Sequence, residues 1–412
     1  MPQNIISFRR LLISSFVLLF AVVAQAQCLD PFAANFDPSE NSDKVCRYAN
    51  ALQNPPFLYL LDSSIEENSG LEWYNGLLWT HNDSGGEPLL YGLDPETGEI
   101  VQRIEIENVK NRDWEDITLD DNYFYVGDFG NNAANRKDLA VFRFPLSAIP
   151  DSGDAKVWAE KIFFNFPDQK IFLINWDSNN FDCESVVAGK DQLYLFSKNR
   201  GDQQSKLYSI PKEPGTYAAK FIDSFDSRGL LTGATFDAET NTPALVGYTY
   251  KSWQPFIWLF YGFEGEDFFS GNNRRFDFPN LTTTQTEGIV FIAPFHLMIS
   301  AESTKTFTAR MFEFDIAAFV DKHQLAIDQS KEENWLQKSA ETNEFILDSR
   351  KLKVDDYLCI FFNREGRELK QISIQLEKDS HHLEIPTELL DQVHSIALFG
   401  KRNTYYTTLN DE

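Results

Sequence analysis

The chain has 412 residues, 42% apolar and 14% aromatic, so it can bury a large core and most of it is not disordered. Its formal charge of −25 disfavours binding to nucleic acid or to an anionic membrane surface, and favours cations or neutral ligands. The length predicts two or three folded units.

The N-terminal residues 1–26 have the features of a secretory signal peptide. Arg9 and Arg10 precede the apolar run Leu11–Ala24, and Ala24-Gln25-Ala26 supplies the small residues of a cleavage site. No stretch reaches the roughly 20 apolar residues that a transmembrane helix needs. We therefore expect an exported protein that is secreted, held at the cell surface or periplasmic. Removal of the signal peptide, with Arg9 and Arg10, changes the formal charge of the protein from −25 to −27.

Residues 27–50 are predicted to form a small disulfide module. Cys28 and Cys46 bracket this segment, and in an oxidising compartment they are expected to pair. The segment resembles a module common in secreted proteins of the Bacteroidetes, although its ending Ser-Asp-Lys-Val-Cys departs from the usual Asp-Asp-Gly-Ser-Cys. Three residues in the middle of the segment could supply oxygen ligands to Ca²⁺, or they could simply form Asx turns; the turns are favoured. These donors are Asp37, Asn41 and Asp43. The remaining cysteines, Cys183 and Cys359, are expected to be buried thiols.

Residues 55–325 contain five copies of one strand plan, which predicts a β-propeller. The copies open with Asn68-Ser-Gly-Leu-Glu-Trp, Trp114-Glu-Asp-Ile-Thr, Cys183-Glu-Ser-Val-Val, Leu231-Thr-Gly-Ala-Thr-Phe and Thr286-Glu-Gly-Ile-Val-Phe. In each copy a second strand ends in an apolar and then a small residue and leads into a polar loop. Apolar alternation interrupted by Gly, Asn and Asp indicates short antiparallel strands. A four-strand repeat of roughly 45 to 70 residues is typical of propeller blades.

The number of blades follows from the ends of the repeat region. The last copy stops after its third strand, Arg310–Phe319, while Phe57–Leu61 is a lone strand before the first copy. We expect Phe57–Leu61 to complete the last blade and cover its edge. The prediction is an all-β, five-bladed propeller; the wide gap between the second and third copies leaves six blades as the alternative.

Several motifs carry a family resemblance over roughly residues 60–315. They are Trp79-Thr-His-Asn-Asp-Ser-Gly-Gly, Asp113-Trp-Glu-Asp-Ile, Val126-Gly-Asp-Phe-Gly-Asn-Asn and Glu287-Gly-Ile. Together they resemble a family of uncharacterised, Bacteroidetes-type secreted β-propellers that is distantly similar to phytase-like and lactonase-like propellers. The resemblance implies the fold and leaves the reaction open, because propellers support many chemistries.

Residues 334–412 are predicted to form a small β-sandwich. Six short runs between Phe345 and Leu409 have strand character, and Asn363-Arg-Glu-Gly is a hairpin turn. The order of elements is similar to the C-terminal sorting domain of type IX secretion. Gln392-Val-His-Ser replaces the usual Gly-x-Tyr, so an accessory sandwich without a sorting role is the alternative.

The candidate functional residues lie where first strands begin and second strands end, because these points meet on one face of a propeller around its channel. The strand entries bring Glu115, Asp116, Glu184 and Glu287. The loops after the second strands bring His81, Asn82, Asp83, Asp128, Asn131, Lys198 and Glu302, with Arg136 and Arg228 nearby.

Three roles are open for these residues. In a structural role, the carboxylates accept backbone hydrogen bonds or pair with Arg136, Lys198 or Arg228. In a metal site, Glu115, Glu184 and Glu287 hold a divalent cation such as Ca²⁺. In a hydrolase, the cation polarises an ester or phosphate, with His81 or Asp128 as general base.

The sequence predicts a ligand-binding or interaction module with a polar or divalent-cation site at the channel. The alternative is a phytase-like or lactonase-like metal-dependent hydrolase, so enzymatic activity is left open. The expected partner of this monomer is a small molecule, glycan or protein, and not nucleic acid. Trp253 lies in a polar loop, and it is the tryptophan best placed to meet a ligand.

Overall fold

A computed structural model describes most of the chain beyond its N-terminal segment. The described residues are 33–36, 46–237, 240–263, 265–322, 326–327, 330, 335–338, 345–348, 351–353, 355–376, 381–383, 389, 392–400 and 403–409. The predicted signal peptide, Cys28 and the three oxygen donors of the N-terminal module lie outside this set, so export, the disulfide and that calcium site stay predictions. Cys183 and Cys359 are free and buried, as predicted. Within the described ranges, no helix is long and apolar enough to cross a membrane.

The described residues form short strands joined by turns and loops. The first ten are β1 Ala51–Leu52, β2 Phe57–Leu60, β3 Asn68–Tyr74, β4 Leu77–Asn82, β5 Leu89–Leu93, β6 Ile100–Ile106, β7 Trp114–Leu119, β8 Tyr123–Asp128, β9 Leu139–Pro145 and β10 Ala155–Val157. The next ten are β11 Glu160–Asn165, β12 Asp182–Ala188, β13 Gln192–Lys198, β14 Gln204–Pro211, β15 Gly215–Ala218, β16 Lys220–Asp226, β17 Leu230–Asp237, β18 Thr242–Tyr248, β19 Pro255–Tyr261 and β20 Asn272–Asp277. The others are β21 Thr286–Ala293, β22 His296–Ala301, β23 Arg310–Asp315, β24 Leu336–Lys338, β25 Phe345–Leu347, β26 Asp355–Phe362, β27 Glu368–Leu376, β28 His381–Leu383, β29 Ser395–Phe399 and β30 Thr404–Thr408. Single 3-10 turns occupy Ser63–Ile65, Leu146–Ala148 and Ala317–Phe319.

The protein is all-β, as predicted, and five of its sheets each begin with one of the repeated motifs. These five have the strand orders β3-β4-β5-β6-β10 (sheet I), β7-β8-β9-β11-β15 (sheet II), β12-β13-β14-β16 (sheet III), β17-β18-β19-β20-β1 (sheet IV) and β21-β22-β23-β2 (sheet V). Strand pairs in them are antiparallel, except that the outer strands β1, β10 and β15 pair in parallel with their neighbours.

Sheet V is completed by a strand from the other end of the repeat region. β2 pairs antiparallel with β23, with Phe57 opposite Phe312 and Leu60 opposite Arg310. The predicted pairing of the lone N-terminal strand with the last repeat is therefore confirmed. Residues 166–181, the wide gap between the second and third repeats, contain no strand.

Apolar side chains fill the space between neighbouring sheets. Trp79 and Ile104 of sheet I pack with Trp114 and Phe124 of sheet II. Similar clusters join sheet II to III, III to IV, IV to V and V to I. Strand β8 is buried at five of its six residues because both faces of sheet II are covered. Each large apolar side chain buried in this way contributes about 1.5 to 3 kcal/mol to the free energy of unfolding.

The first strands of the five sheets lie next to one another. β3 contacts β7 and β21, β12 contacts β7 and β17, and β17 contacts β21. The approach of β3 to β7 depends on Gly70, whose φ of +54° is in the left-handed region. A Cβ on Gly70 would lie 2.8 Å from the Ile117 backbone nitrogen. The backbones of sheets I and II can therefore meet closely at this point.

The C-terminal residues form two further sheets, β24-β25-β28 and β27-β26-β29-β30. They share one apolar core that includes Trp335, Phe345 and Tyr357. All six predicted strands are present, and β24 is an addition. Ile360 and Phe399 pack into the core between sheets IV and V, so this unit is joined to the repeats by apolar contact.

Candidate ligand and cation site

A charged cavity of about 310 Å³ lies where the first strands of the five sheets begin. Its carboxylates are Asp83, Glu115, Glu184, Glu287 and Glu302. Its basic side chains are Lys198 and Arg200, and its aromatic side chains are Tyr248, Tyr250 and Trp253. Five carboxylates against two bases leave the lining with a formal charge of −3 when all are ionised.

Three glutamates that occupy equivalent positions in their repeats each lie at an irregularity in strand pairing. The register between first and second strands shifts across Glu115, Glu184 and Glu287, in sheets II, III and V respectively. A bulge adds an unpaired residue to a strand and redirects its side chain. The predicted convergence of these glutamates is observed: all three line one cavity.

Two basic side chains neutralise one part of the cavity. Lys198 Nζ donates to Glu184 Oε2 at 2.6 Å, and both side chains are almost fully buried. Arg200 forms an ion pair with Asp182 and donates to Asn132 Oδ1 at 2.6 Å. A buried ion pair is strongly destabilised when one partner is removed, so these pairs hold the end of sheet III together.

A second part of the cavity, with Asp113 beside its lining, is acidic and less fully paired: Arg136 Nη1 lies 3.9 Å from Asp113 Oδ2, and Arg136 pairs more closely with Asp128, at 2.9 Å. One oxygen from each of Asp83, Asp113 and Glu115 lies within 4.8 Å of the others. Glu115 is 3% exposed, and its buried Oε1 has no hydrogen-bond partner among the residues described. Burial, and next the charge of Asp83, raises the pKa of Glu115 well above its usual range. Burial also raises the pKa of Asp83 to about 8 and that of Asp113 to about 6. The arrangement favours the arrival of positive charge.

Gly130 provides the space for this acidic group. A Cβ on Gly130 would lie 2.0 Å from Glu115 Oε1 and 2.5 Å from Asp113 Cγ. Any side chain at this position would displace one or both carboxylates.

Asp116 has a structural role in the same region. It is fully buried, and its Oδ2 accepts hydrogen bonds from the backbone nitrogens of Val186 at 2.8 Å and Ala234 at 3.2 Å. Its Oδ1 accepts from the Ile117 nitrogen at 2.9 Å. Asp116 therefore links sheets II, III and IV by accepting backbone hydrogen bonds, which is the structural role considered for these carboxylates.

The two candidate general bases lie away from the cavity surface. His81 is fully buried, its Nδ1 is 2.9 Å from the Asn82 carbonyl oxygen, and burial lowers its pKa to about 4. Asp128 accepts from Arg136 Nη2 at 2.9 Å. Neither His81 nor Asp128 is among the residues that line the cavity.

Two of the other predicted ligand-binding residues make contacts that hold loops. Asn82 Nδ2 donates to the Ser64 carbonyl at 2.8 Å, and Asn131 Nδ2 donates to the Phe181 carbonyl at 2.9 Å. Glu302 lines the cavity, contacts Gln285, and has its pKa raised to about 7 by burial.

Neither arginine that was expected to compensate the glutamates does so. Arg136 pairs with Asp128 at 2.9 Å and lies 3.9 Å from Asp113. Arg228 lies 4.8 Å from the Trp258 ring and donates to Asn50 Oδ1 at 3.2 Å. Lys198, the last residue of β13, and Arg200, in the loop that follows, supply the positive charge instead.

Several residues of the site are not among those predicted from the sequence, although a signal for them exists. Asp113, Asp182 and Gln285 each stand two positions before a repeat glutamate, and Arg200 stands two positions after Lys198. Asp182 lies in β12 with Glu184, whereas Asp113, Gln285 and Arg200 lie just outside their strands. The signal is therefore the repeated spacing itself.

A larger cavity of about 640 Å³ involves the turns between first and second strands and two C-terminal residues, Lys353 and Asn403. Its best-placed opposite charges already satisfy each other, since Lys212 Nζ is 2.8 Å from Asp120 Oδ2. We therefore place the candidate site in the smaller cavity.

No family model matches this chain, and no curated protein matches it. A solved structure similar to part of it is Kuenenia stuttgartiensis hydrazine synthase, at 10% identity, with a TM-score of 0.31 and coverage of 83% of this chain and 78% of that one.

Proposed function

We propose that this chain is an exported five-bladed β-propeller that binds a ligand in the charged cavity at one end of its channel. Five sheets that start with equivalent motifs, each packed against two others, support the propeller arrangement. The small C-terminal sandwich would serve export or surface attachment, and the mature protein would act as a monomer.

The acidic part of the cavity would hold a divalent cation of the Ca²⁺ kind. The observation that carries this proposal is Glu115 Oε1, a buried carboxylate oxygen without a partner in the described structure, next to Asp83 and Asp113. Hard cations prefer carboxylate oxygens. The proposed cation ligands are therefore not the three repeat glutamates predicted from the sequence. Lys198 already neutralises Glu184, and its charge also lowers the pKa of Glu287, against the effect of burial.

Hydrolysis receives no support from the site. A general base must reach the substrate directly or through one water molecule. His81 is buried with a low pKa, and Asp128 is held by Arg136. We therefore restrict the proposal to binding.

The test is the thermal stability of the protein from residue 27 to residue 412 with and without Ca²⁺. A ligand that binds only the folded state stabilises it by about 2.7 kcal/mol at one hundred times its Kd. We expect Ca²⁺ to raise the melting temperature of the parent protein and to leave that of Glu115→Gln unchanged.

Glu287→Gln is the matched control, because Glu287 has an equivalent repeat position and lines the same cavity. It should keep the calcium response. A parent protein indifferent to Ca²⁺, or an equal response in Glu115→Gln, would contradict the proposed cation site.

A further inference from the structure

The cavity has an aromatic side next to Glu287. Trp253 lines the cavity and is 41% exposed. Its backbone nitrogen donates to the Thr249 carbonyl at 3.0 Å, and its carbonyl accepts from the Thr284 nitrogen at 3.2 Å. The second bond ties the Trp253 loop to the segment that leads into Glu287, so the aromatic ring and this carboxylate come from adjoining backbone.

Lys198 shows how this cavity binds an ammonium group. Its Nζ donates to Glu184 Oε2 at 2.6 Å and lies 5.5 Å from the centre of the Tyr248 ring. A carboxylate and an aromatic face are the two elements that attract an ammonium ion. The protein therefore already contains one example of this recognition at the site.

Acceptor capacity remains after Lys198 is bound. Glu184 is 2% exposed, and its buried Oε1 finds no hydrogen-bond partner in the described part of the chain. Glu287 and Glu302 also line the cavity, and among the described residues neither forms an ion pair with a basic side chain. Against the formal charge of −3, a divalent cation would leave −1, which a single ammonium group would balance.

We propose that the ligand of this cavity is a small organic amine, whose ammonium group binds between the Trp253 ring and the carboxylate of Glu287. The proposal rests on the proposed function and names the chemical class of its ligand. A volume of about 310 Å³ suits a small molecule. The negative charge of the whole protein favours the approach of a cation.

The experiment compares cyclohexylammonium with cyclohexanol, which has the same ring and no charge. Both are added to the protein from residue 27 to residue 412, and binding is followed by melting temperature and by tryptophan fluorescence. We expect the ammonium compound to bind and the alcohol not to bind. Trp253→Ala should weaken binding roughly tenfold, the equivalent of about 1.4 kcal/mol, and Trp253→Phe should weaken it less.

Trp158→Ala is the control for loss of an exposed tryptophan, because Trp158 is 70% exposed and does not line the cavity. It should bind the amine like the parent protein. Equal binding of amine and alcohol, or undiminished binding by Trp253→Ala, would overturn the inference.

Two glutamates separate this inference from the cation proposal. Glu287→Gln should lose the amine response and keep the calcium response, whereas Glu115→Gln should do the reverse. A calcium response that depends on Glu115, without any amine response, would overturn the amine inference and leave the cation site standing. Absence of both responses would overturn both.

Discussion

At the scale of single residues, the acidic group depends on the absence of a side chain at Gly130. Gly130→Ala would bring a Cβ within 2.0 Å of Glu115 Oε1, which is the movable end of a side chain. We expect the carboxylate to move, with a loss of stability of about 1 kcal/mol. The larger effect should be on cation binding, because Asp113 is displaced as well.

The measurement is a calcium titration of Gly130→Ala beside Gly86→Ala. A Cβ on Gly86 would meet nothing nearer than 3.8 Å, so this second variant should titrate like the parent protein. An unchanged calcium affinity in Gly130→Ala would show that the cation does not bind at Glu115.

Glu72 provides a pH-dependent prediction away from the candidate site. It borders the larger cavity, and burial raises its pKa from 4.5 to about 8. Between pH 4.5 and pH 8 the folded state therefore keeps a proton on Glu72 that the unfolded state loses. The contribution of Glu72 to the free energy of unfolding is fully present below pH 4.5 and is lost as the pH rises through 8. Because the side chain is partly exposed, we expect a loss of about 2 kcal/mol.

Glu72→Gln cannot ionise, so it should remove this loss. Urea unfolding should show the variant more stable than the parent protein above pH 8 and equally stable below pH 4.5. Parallel pH profiles for the two proteins would contradict the prediction.

At the scale of elements, β2 joins the N-terminal side of the repeats to their last sheet. Deletion of Phe57–Leu60 would remove the partner of β23 and expose its edge. It would also remove Tyr59, whose hydroxyl donates to the Pro95 carbonyl at 3.1 Å. We expect a large fall in the melting temperature of the whole protein.

Deletion of Ala51–Leu52 is the matched control, because β1 is also an outer strand and has only two residues paired with β20. It should lower the melting temperature much less. If the β2 deletion melts like the parent protein, sheet V does not need its fourth strand.

The repeated strands could be predicted because each combines an alternating pattern with turn residues at its ends. Their outer additions could not: β1, β10 and β15 are short and lie outside the four-strand plan that the repeats share, so the repetition gives no signal for them. Partners of buried charges were harder still. Lys198 was among the bases considered, but Arg136 and Arg228 are drawn elsewhere by Asp128 and by Trp258. Such choices depend on loop conformation, which the residue pattern does not encode.

At the scale of the whole molecule, the negative charge and the cavity have one explanation. The mature chain is expected to carry −27, and the cavity lining has a formal charge of −3 when all its groups are ionised. Buried carboxylates that bases do not fully neutralise destabilise the fold unless they are protonated or bind a cation. A protein that accepts this cost at one point, while pairing Glu184 and Asp182 nearby, is organised to receive positive charge there.

The most direct measurement is anomalous diffraction from crystals of the protein soaked with Tb³⁺, a hard cation that replaces Ca²⁺ at oxygen sites. We expect a peak among the carboxylates of Asp83, Asp113 and Glu115, and its absence in crystals of Glu115→Gln. An empty acidic group in the parent crystals, with terbium bound only elsewhere, would contradict it.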